Sequence, residues 1–147
     1  MHRRSAARGR RGMSLFHIDL QVSFGDCDPA GIVYYPNFCR WTDRAFHALL
    51  HERLGGHAAL CRSLGARGFG LMDVRMRFRS PAEEGDHLRI AIAGIDWKRR
   101  SFDIAYEARC GERLVFTAAE TRGVFVMREG RMRAGEVAGL KARLEEA

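Results

Sequence analysis

The sequence predicts an α+β domain in which one long helix packs against an antiparallel sheet. Three observations carry that expectation. Apolar side chains recur at three- and four-residue steps in one long segment, residues 37–54. After Gly68 the period changes to two and persists through successive segments. Tight turn signals separate those segments, and strands joined by consecutive hairpins form an antiparallel sheet with the helix on one face.

Each element follows in order. Residues 15–24, LFHIDLQVSF, place Phe16, Ile18, Leu20, Val22 and Phe24 on one face of a strand. Gly25 to Pro36 is rich in Gly, Pro and Asp and reads as a structured loop. Phe38, Trp41, Ala45, Ala48 and Leu49 then form one helix face, with Asn37 expected as its cap and Gly55-Gly56 as its end. Residues 57–66 can add a short helical turn. Met72, Val74, Met76 and Phe78 alternate with Asp73, Arg75, Arg77 and Arg79, as in a half-buried strand with a polar outer face. Leu88, Ile90 and Ile92 alternate, while Ile95 and Trp97 follow out of phase. A bulge near Gly94 would put all five on one face. Phe102, Ile104, Tyr106 and Ala108 make the next strand. A turn at Gly111 leads into a long apolar strand, residues 114–127. Glu129-Gly130 turns the chain, and Glu136 to Glu146 can form a terminal helix. A curved sheet wrapped around the long helix would cover its apolar residues.

The composition excludes several classes. At 147 residues and 46% apolar content, the chain is one domain's length and can bury a core without staples. The longest stretch without Asp, Glu, Lys or Arg runs only from Pro29 to Cys39, too short to cross a membrane. No apolar stretch follows the basic start, so no signal peptide is expected. The net charge of +7 first suggests nucleic acid. Yet Arg3, Arg4, Arg8, Arg10 and Arg11 all fall within the first twelve residues, and without them the body is nearly neutral. Residues 1–12 read as a disordered basic tail before a single domain, 13–147, with Met13 a candidate natural start. A nucleic-acid arm or a targeting sequence are the other readings of that tail. Cys27, Cys39, Cys61 and Cys110 form no C-x-x-C pair and read as free thiols in a reducing, cytoplasmic setting.

The informative stretch is FGDCDPAGIVYYPNFCRW, residues 24–41. Asp26 and Asp28 flank Cys27 and precede Pro29-Ala30-Gly31, which can form a rigid, close turn. The loop enters the N-terminus of the long helix, where free backbone N–H groups can stabilise an oxyanion. A carboxylate held there could act as base or nucleophile in acyl chemistry, or could simply cap the turn. Cys27 is a poor nucleophile, because two neighbouring carboxylates suppress its thiolate. His47 and His51 lack the intervening Glu of a zinc motif, and no metal is expected. Glu83, Glu84 and Asp86 read as a solvent-exposed turn.

The run FGDCDPAGIVYYPNF, with Arg40-Trp41 and Asp43 after it, resembles the 4-hydroxybenzoyl-CoA thioesterase family of hotdog-fold proteins. Gly68 to Phe78, DWKRRSF at Asp96 to Phe102, and Met127 to Ala134 fit the same family in order and spacing. The resemblance covers about residues 15–135. It implies a long helix wrapped by a five- or six-stranded antiparallel sheet. It also implies an acyl-CoA thioesterase that hydrolyses an aryl-CoA such as 4-hydroxybenzoyl-CoA.

Residue by residue, the resemblance makes Asp28 the catalytic carboxylate, as nucleophile or general base. The Tyr35 backbone N–H becomes the oxyanion donor, and Lys98, Arg99 and Arg100 become the cations that meet the CoA phosphates. It implies a homodimer or homotetramer with active sites at subunit interfaces, and no cofactor beyond the CoA of the substrate. Tyr34 and Asp43 are acyl-pocket candidates, although Asp43 can equally pair with an arginine. Trp97 and Phe102 can stack on adenine or pack in the core or dimer. Leu60 to Asp73, which would shape the acyl pocket, match the family less closely. A short-chain aliphatic acyl-CoA thioesterase and a non-catalytic acyl-CoA binder therefore stay open. A nucleic-acid protein, a third class, would depend on the tail and lose affinity steeply with salt.

Overall fold

The computed structural model describes residues 14–147. The expected tail, residues 1–12, and Met13 lie outside the described residues. The chain runs β1 (Phe16–Gln21), a 3-10 turn (Phe24–Asp26), α1 (Pro36–Leu54), α2 (His57–Leu64), β2 (Gly68–Phe78), β3 (His87–Trp97), β4 (Phe102–Cys110), β5 (Arg113–Arg128), β6 (Arg131–Gly135) and α3 (Ala138–Glu146).

The six strands form one antiparallel sheet in the order β1-β3-β4-β5-β2. The short β6 pairs with the end of β5, Val124 to Arg128, beyond the point where β4 stops. This sixth strand is absent from the element order read along the sequence, because RMRAG carries no apolar alternation. The anticipated bulge is present, between Ile92 and Gly94. It keeps Ile95 opposite Ile104 and Trp97 opposite Phe102, on the face that buries Leu88, Ile90 and Ile92. A second bulge, between Leu71 and Asp73, interrupts β2.

One face of the sheet packs on α1. Phe38, Trp41, Ala45, Phe46, Leu49 and Leu50 are buried against Phe102, Ile104, Tyr106 and Phe116. The helix is amphipathic: Arg40, Asp43, Arg44 and Arg53 stay exposed, so it is covered along one side only. Its start differs from expectation. Pro36 occupies the first turn, where its missing N–H costs nothing, and Tyr35 is the cap residue without a side-chain bond. Asn37 instead donates through Nδ2 to the Asp26 carbonyl, tying the helix to the preceding loop. Gly55, at φ 79°, ends the helix in the left-handed conformation.

Two further expectations are corrected. Phe24 is 80% exposed in the 3-10 turn, because β1 ends at Gln21 and the chain turns away from the sheet. The apolar face of β2 is largely open, with Phe78 56% exposed. The cause is position: β2 is an edge strand that pairs only with β5, so among the described residues Val74 and Phe78 are only partly covered.

Candidate active site

The loop before α1 is a small hairpin. Cys27 bridges to Val33, the Asp28 N–H donates to the Ile32 carbonyl, and the Tyr34 N–H donates to the Asp26 carbonyl. Gly31 closes the turn at φ 80°, a conformation that strains any residue with a Cβ. Asp26 is structural. Its Oδ2 accepts from both the Ser23 N–H, at 2.8 Å, and the Ser23 hydroxyl, at 2.9 Å. Asp28 differs. Its Oδ1 accepts from the Ala30 N–H at 2.8 Å, the short-range bond expected of an Asx turn. Among the described residues, Oδ2 of Asp28 takes no partner.

The Tyr35 N–H is likewise free among the described residues, since the bonds of the first turn belong to Asn37 and Phe38. Pro36 brings no N–H of its own to compete. The Tyr34 ring lies edge-on to that of Tyr35, and Tyr35 in turn to Phe78 on β2. A partly exposed carboxylate, a free donor and exposed aromatic side chains thus collect at the start of α1. Partial burial and then the Asp26 charge push the Cys27 thiol above its ordinary value, which argues against a thiolate there.

Asp43 lies two turns into the helix. The arginine it meets is Arg122: Nη2 donates to Asp43 Oδ1 at 3.0 Å. His47 Nε2 is 3.6 Å from the same oxygen. Asp43 is on the surface, whereas Arg122 is 3% exposed and Glu120 2%. Arg122 Nε donates to Glu120 Oε2 at 3.0 Å, and Nη1 donates to the Phe69 carbonyl at 3.3 Å. The guanidinium carbon stands 4.4 Å from the centre of the Phe46 ring. Glu120 also accepts from the Tyr106 hydroxyl and the Thr42 hydroxyl, each at 2.8 Å. Burial, then the Glu120 charge, raises the Tyr106 phenol far above its normal range, so it stays a donor. Desolvation lowers the His47 imidazole, with the Asp43 charge opposing.

Glu120, Arg122, Tyr106 and Thr42 were not among the residues singled out from the sequence. A signal was available. Alternation along β5 places Glu120 and Arg122 inward beside Phe116, Ala118 and Val124, where unpaired charges do not survive.

The cationic hairpin is not uniform. Lys98 Nζ donates to Asp103 Oδ2 at 2.9 Å, which raises its amine above the ordinary value. Arg99 pairs with Glu136 at 3.1 Å. Arg100 is exposed and has no carboxylate partner among the described residues. Phe102 is buried and Trp97 packs on it at 5.1 Å, which makes both part of the core edge. Asp86, expected in a solvent turn, instead anchors it, accepting from the Glu83 N–H and from Arg113. Among the described residues no cluster of potential ligands could hold a metal ion, and no helix is long and apolar enough to cross a membrane.

Comparison with known proteins gives the chain its family. A model of the thioesterase-like superfamily matches residues 22–146. The 4-hydroxybenzoyl-CoA thioesterase of Pseudomonas sp. strain CBS-3 is 35% identical over 124 residues, 80% of this chain and 87% of that protein. A solved 4-hydroxybenzoyl-CoA thioesterase, an Asp-to-Asn mutant complexed with 4-hydroxybenzoyl-CoA, superposes with a TM-score of 0.77 at 30% identity, over 87% of this chain and 96% of that one. A gentisyl-coenzyme A thioesterase superposes with a TM-score of 0.70 at 26% identity, over 88% and 98% of the two chains. The chain belongs to the 4-hydroxybenzoyl-CoA thioesterase family of the thioesterase-like superfamily and is a thioester hydrolase of hotdog fold.

Proposed function

We propose that this protein hydrolyses a hydroxyaryl-CoA thioester, such as 4-hydroxybenzoyl-CoA, with Asp28 as the catalytic carboxylate. The observation that carries the reading is that, among the described residues, an Asp28 oxygen and the Tyr35 N–H at the start of α1 both lack a partner. In one route, Asp28 attacks the thioester carbonyl and CoA leaves as the thiolate. Water then cleaves the mixed anhydride, regenerating the carboxylate and releasing the acid. In the other, Asp28 takes a proton from the water that attacks. Either way the carbonyl oxygen gains charge, and the Tyr35 N–H is the donor aimed at it. The reaction calls for no cofactor beyond the CoA of the substrate. A solved relative that carries an Asp-to-Asn substitution together with uncleaved substrate supports an aspartate in this role.

The substrate class rests on Asp43 and on the relatives. Asp43 stands eight positions after Tyr35, on the same helix that begins at Pro36. Oδ2 of Asp43 takes no partner among the described residues and can accept from a hydroxyl on the acyl group. Asp43 also lines a cleft of about 560 Å³ with Ser23 and Asp26 of the loop and Arg40 and Arg44 of the helix, a cleft whose lining does not include Asp28 or Tyr35. The named relatives act on hydroxylated aryl thioesters, 4-hydroxybenzoyl-CoA and gentisyl-CoA.

The protein works as a homodimer or homotetramer in the cytoplasm. An 11-residue edge strand, β2, with exposed Val74 and Phe78 beside Tyr34 and Tyr35, supports a second copy closing the site there. Free thiols at all four cysteines support a reducing compartment. Lys98, Arg99 and Arg100 contact the CoA phosphates, with Arg100 the cation most available.

The test is thiol release from benzoyl-, 4-hydroxybenzoyl-, phenylacetyl-, butyryl- and palmitoyl-CoA, wild type beside Asp28→Asn. The reading expects hydroxyaryl turnover that collapses in the variant. Turnover of butyryl-CoA alone overturns the aryl assignment, and no turnover with CoA still bound overturns the enzyme.

A further inference from the structure

We infer that Arg122, fixed by Glu120, is a positioning residue that presents Asp43 to a hydroxyl on the acyl group and so sets the preference for hydroxylated substrates. The inference rests on the hydroxyaryl-CoA reading above and deepens it.

The geometry separates the two ends of the guanidinium. Its inner edge is over-determined. Nε is held by Glu120, Nη1 by the Phe69 carbonyl, and the plane lies against the Phe46 ring. Glu120 is itself held by Thr42 and Tyr106. Four side chains and one carbonyl therefore fix one buried fork, leaving it little rotational freedom. Its outer end, Nη2, reaches Asp43 Oδ1, and Asp43 is 55% exposed.

A buried ion pair seldom adds net stability over apolar packing of the same size, because both charges must be desolvated. Here the pair also extends to the surface and orients a carboxylate that would otherwise rotate freely. The bond to Oδ1 leaves Oδ2 open to accept a hydrogen bond. A fixed acceptor discriminates between a hydroxyl and a hydrogen far better than a mobile one does. His47, 3.6 Å from Oδ1, is the other titratable group at this carboxylate. Desolvation lowers its pKa, which leaves Arg122 the dominant cation there.

The experiment compares kcat/KM for 4-hydroxybenzoyl-CoA and benzoyl-CoA in six proteins: wild type, Arg122→Lys, Glu120→Gln/Arg122→Met, Asp43→Asn, and each of the two Arg122 variants combined with Asp43→Asn. Lysine keeps a buried positive charge beside Glu120 but cannot reproduce the three-way fork. The double variant removes both buried charges and leaves Gln to meet Thr42 and Tyr106, so it folds even where a single truncation does not. The expected result is a wild-type preference for the hydroxylated substrate that falls about tenfold in Arg122→Lys and in the double variant. Combining either with Asp43→Asn adds little further loss, because both act through one carboxylate. An equal fall on both substrates makes Arg122 merely structural and overturns the inference. So does an unchanged preference, or a loss fully additive with Asp43→Asn. A wild type that hydrolyses neither aryl thioester defeats the functional reading itself, and this inference with it.

Discussion

Asp28 and Glu120 carry the same chemical group into opposite surroundings. Asp28 sits on a partly exposed loop with one oxygen tied to its own turn and the other free among the described residues. Glu120 sits 2% exposed inside the sheet–helix interface, and three donors, from Thr42, Tyr106 and Arg122, take up its oxygens. A carboxylate with both oxygens bonded and no access to solvent offers nothing to a carbonyl carbon or a water proton. One with an open oxygen beside an unclaimed N–H can meet either. On the proposed reading, the number of donors around a carboxylate decides its reactivity, and burial alone would point to Glu120 instead of Asp28.

The largest effect expected from that contrast is on chemistry. Asp28→Asn keeps the bond from the Ala30 N–H and loses the charge. We expect kcat for the hydroxyaryl thioester to fall about 10³-fold or more with KM little changed, read by thiol release. Cys27→Ala is expected to retain near-normal turnover, and a collapse there would move the nucleophile to the thiol.

On the other side of the comparison the expected effect is on stability. Arg122→Leu strands the Glu120 charge among apolar side chains, and we expect a loss of about 3–5 kcal/mol in urea unfolding. Glu120→Gln/Arg122→Met is expected to lose far less. Equal losses in the two variants would mean that the network contributes through packing rather than through charge.

The sequence exposed these two regions unequally. The Asp28 loop was legible because Asp-Cys-Asp-Pro-Ala-Gly concentrates residues with strong local rules, and its hairpin is made almost entirely by bonds within ten residues. The strands of the sheet were legible from alternation, down to the bulge before Gly94. The buried network was not. Thr42 and Glu120 are 78 residues apart, and Asp43 and Arg122 are 79 apart, so no local pattern links them. Asn37 misled for a related reason: a good cap residue was diverted to the Asp26 carbonyl by the hairpin beside it. The apolar face of β2 was read correctly as a face, but alternation cannot say what covers it.

That open face gives the next prediction. Phe78 touches Tyr35 and Phe38 and is still 56% exposed. Phe78→Glu is expected to weaken self-association by about 2 kcal/mol or more. Sedimentation at micromolar concentration would then show monomer where the wild type shows dimer, with turnover falling in parallel. A monomeric wild type with full activity would place the whole site within one chain.

The smallest effect concerns the cationic hairpin, where paired and unpaired cations stand side by side. Bonds from Lys98 and then from the Thr121 hydroxyl hold the Asp103 carboxyl below its usual range. A pKa lower in the folded state than in the unfolded one contributes stability that is present above about pH 4 and is lost as pH falls through the folded value. With a third of the Asp103 side chain exposed, that contribution is under about 1 kcal/mol. Asp103→Asn is therefore expected to melt slightly below wild type at pH 7, with the gap closing as pH falls through the lowered Asp103 pKa. Among the described residues Arg100 holds no such partner. Arg100→Ala is expected to raise KM for the CoA thioester about threefold or more, with less effect in high salt, and to leave the melting temperature alone. Lys98→Ala should lower stability slightly and raise KM less than Arg100→Ala does. If the two variants raise KM equally, Lys98 exchanges Asp103 for phosphate on binding, and the pairing seen without substrate does not decide which cation meets CoA.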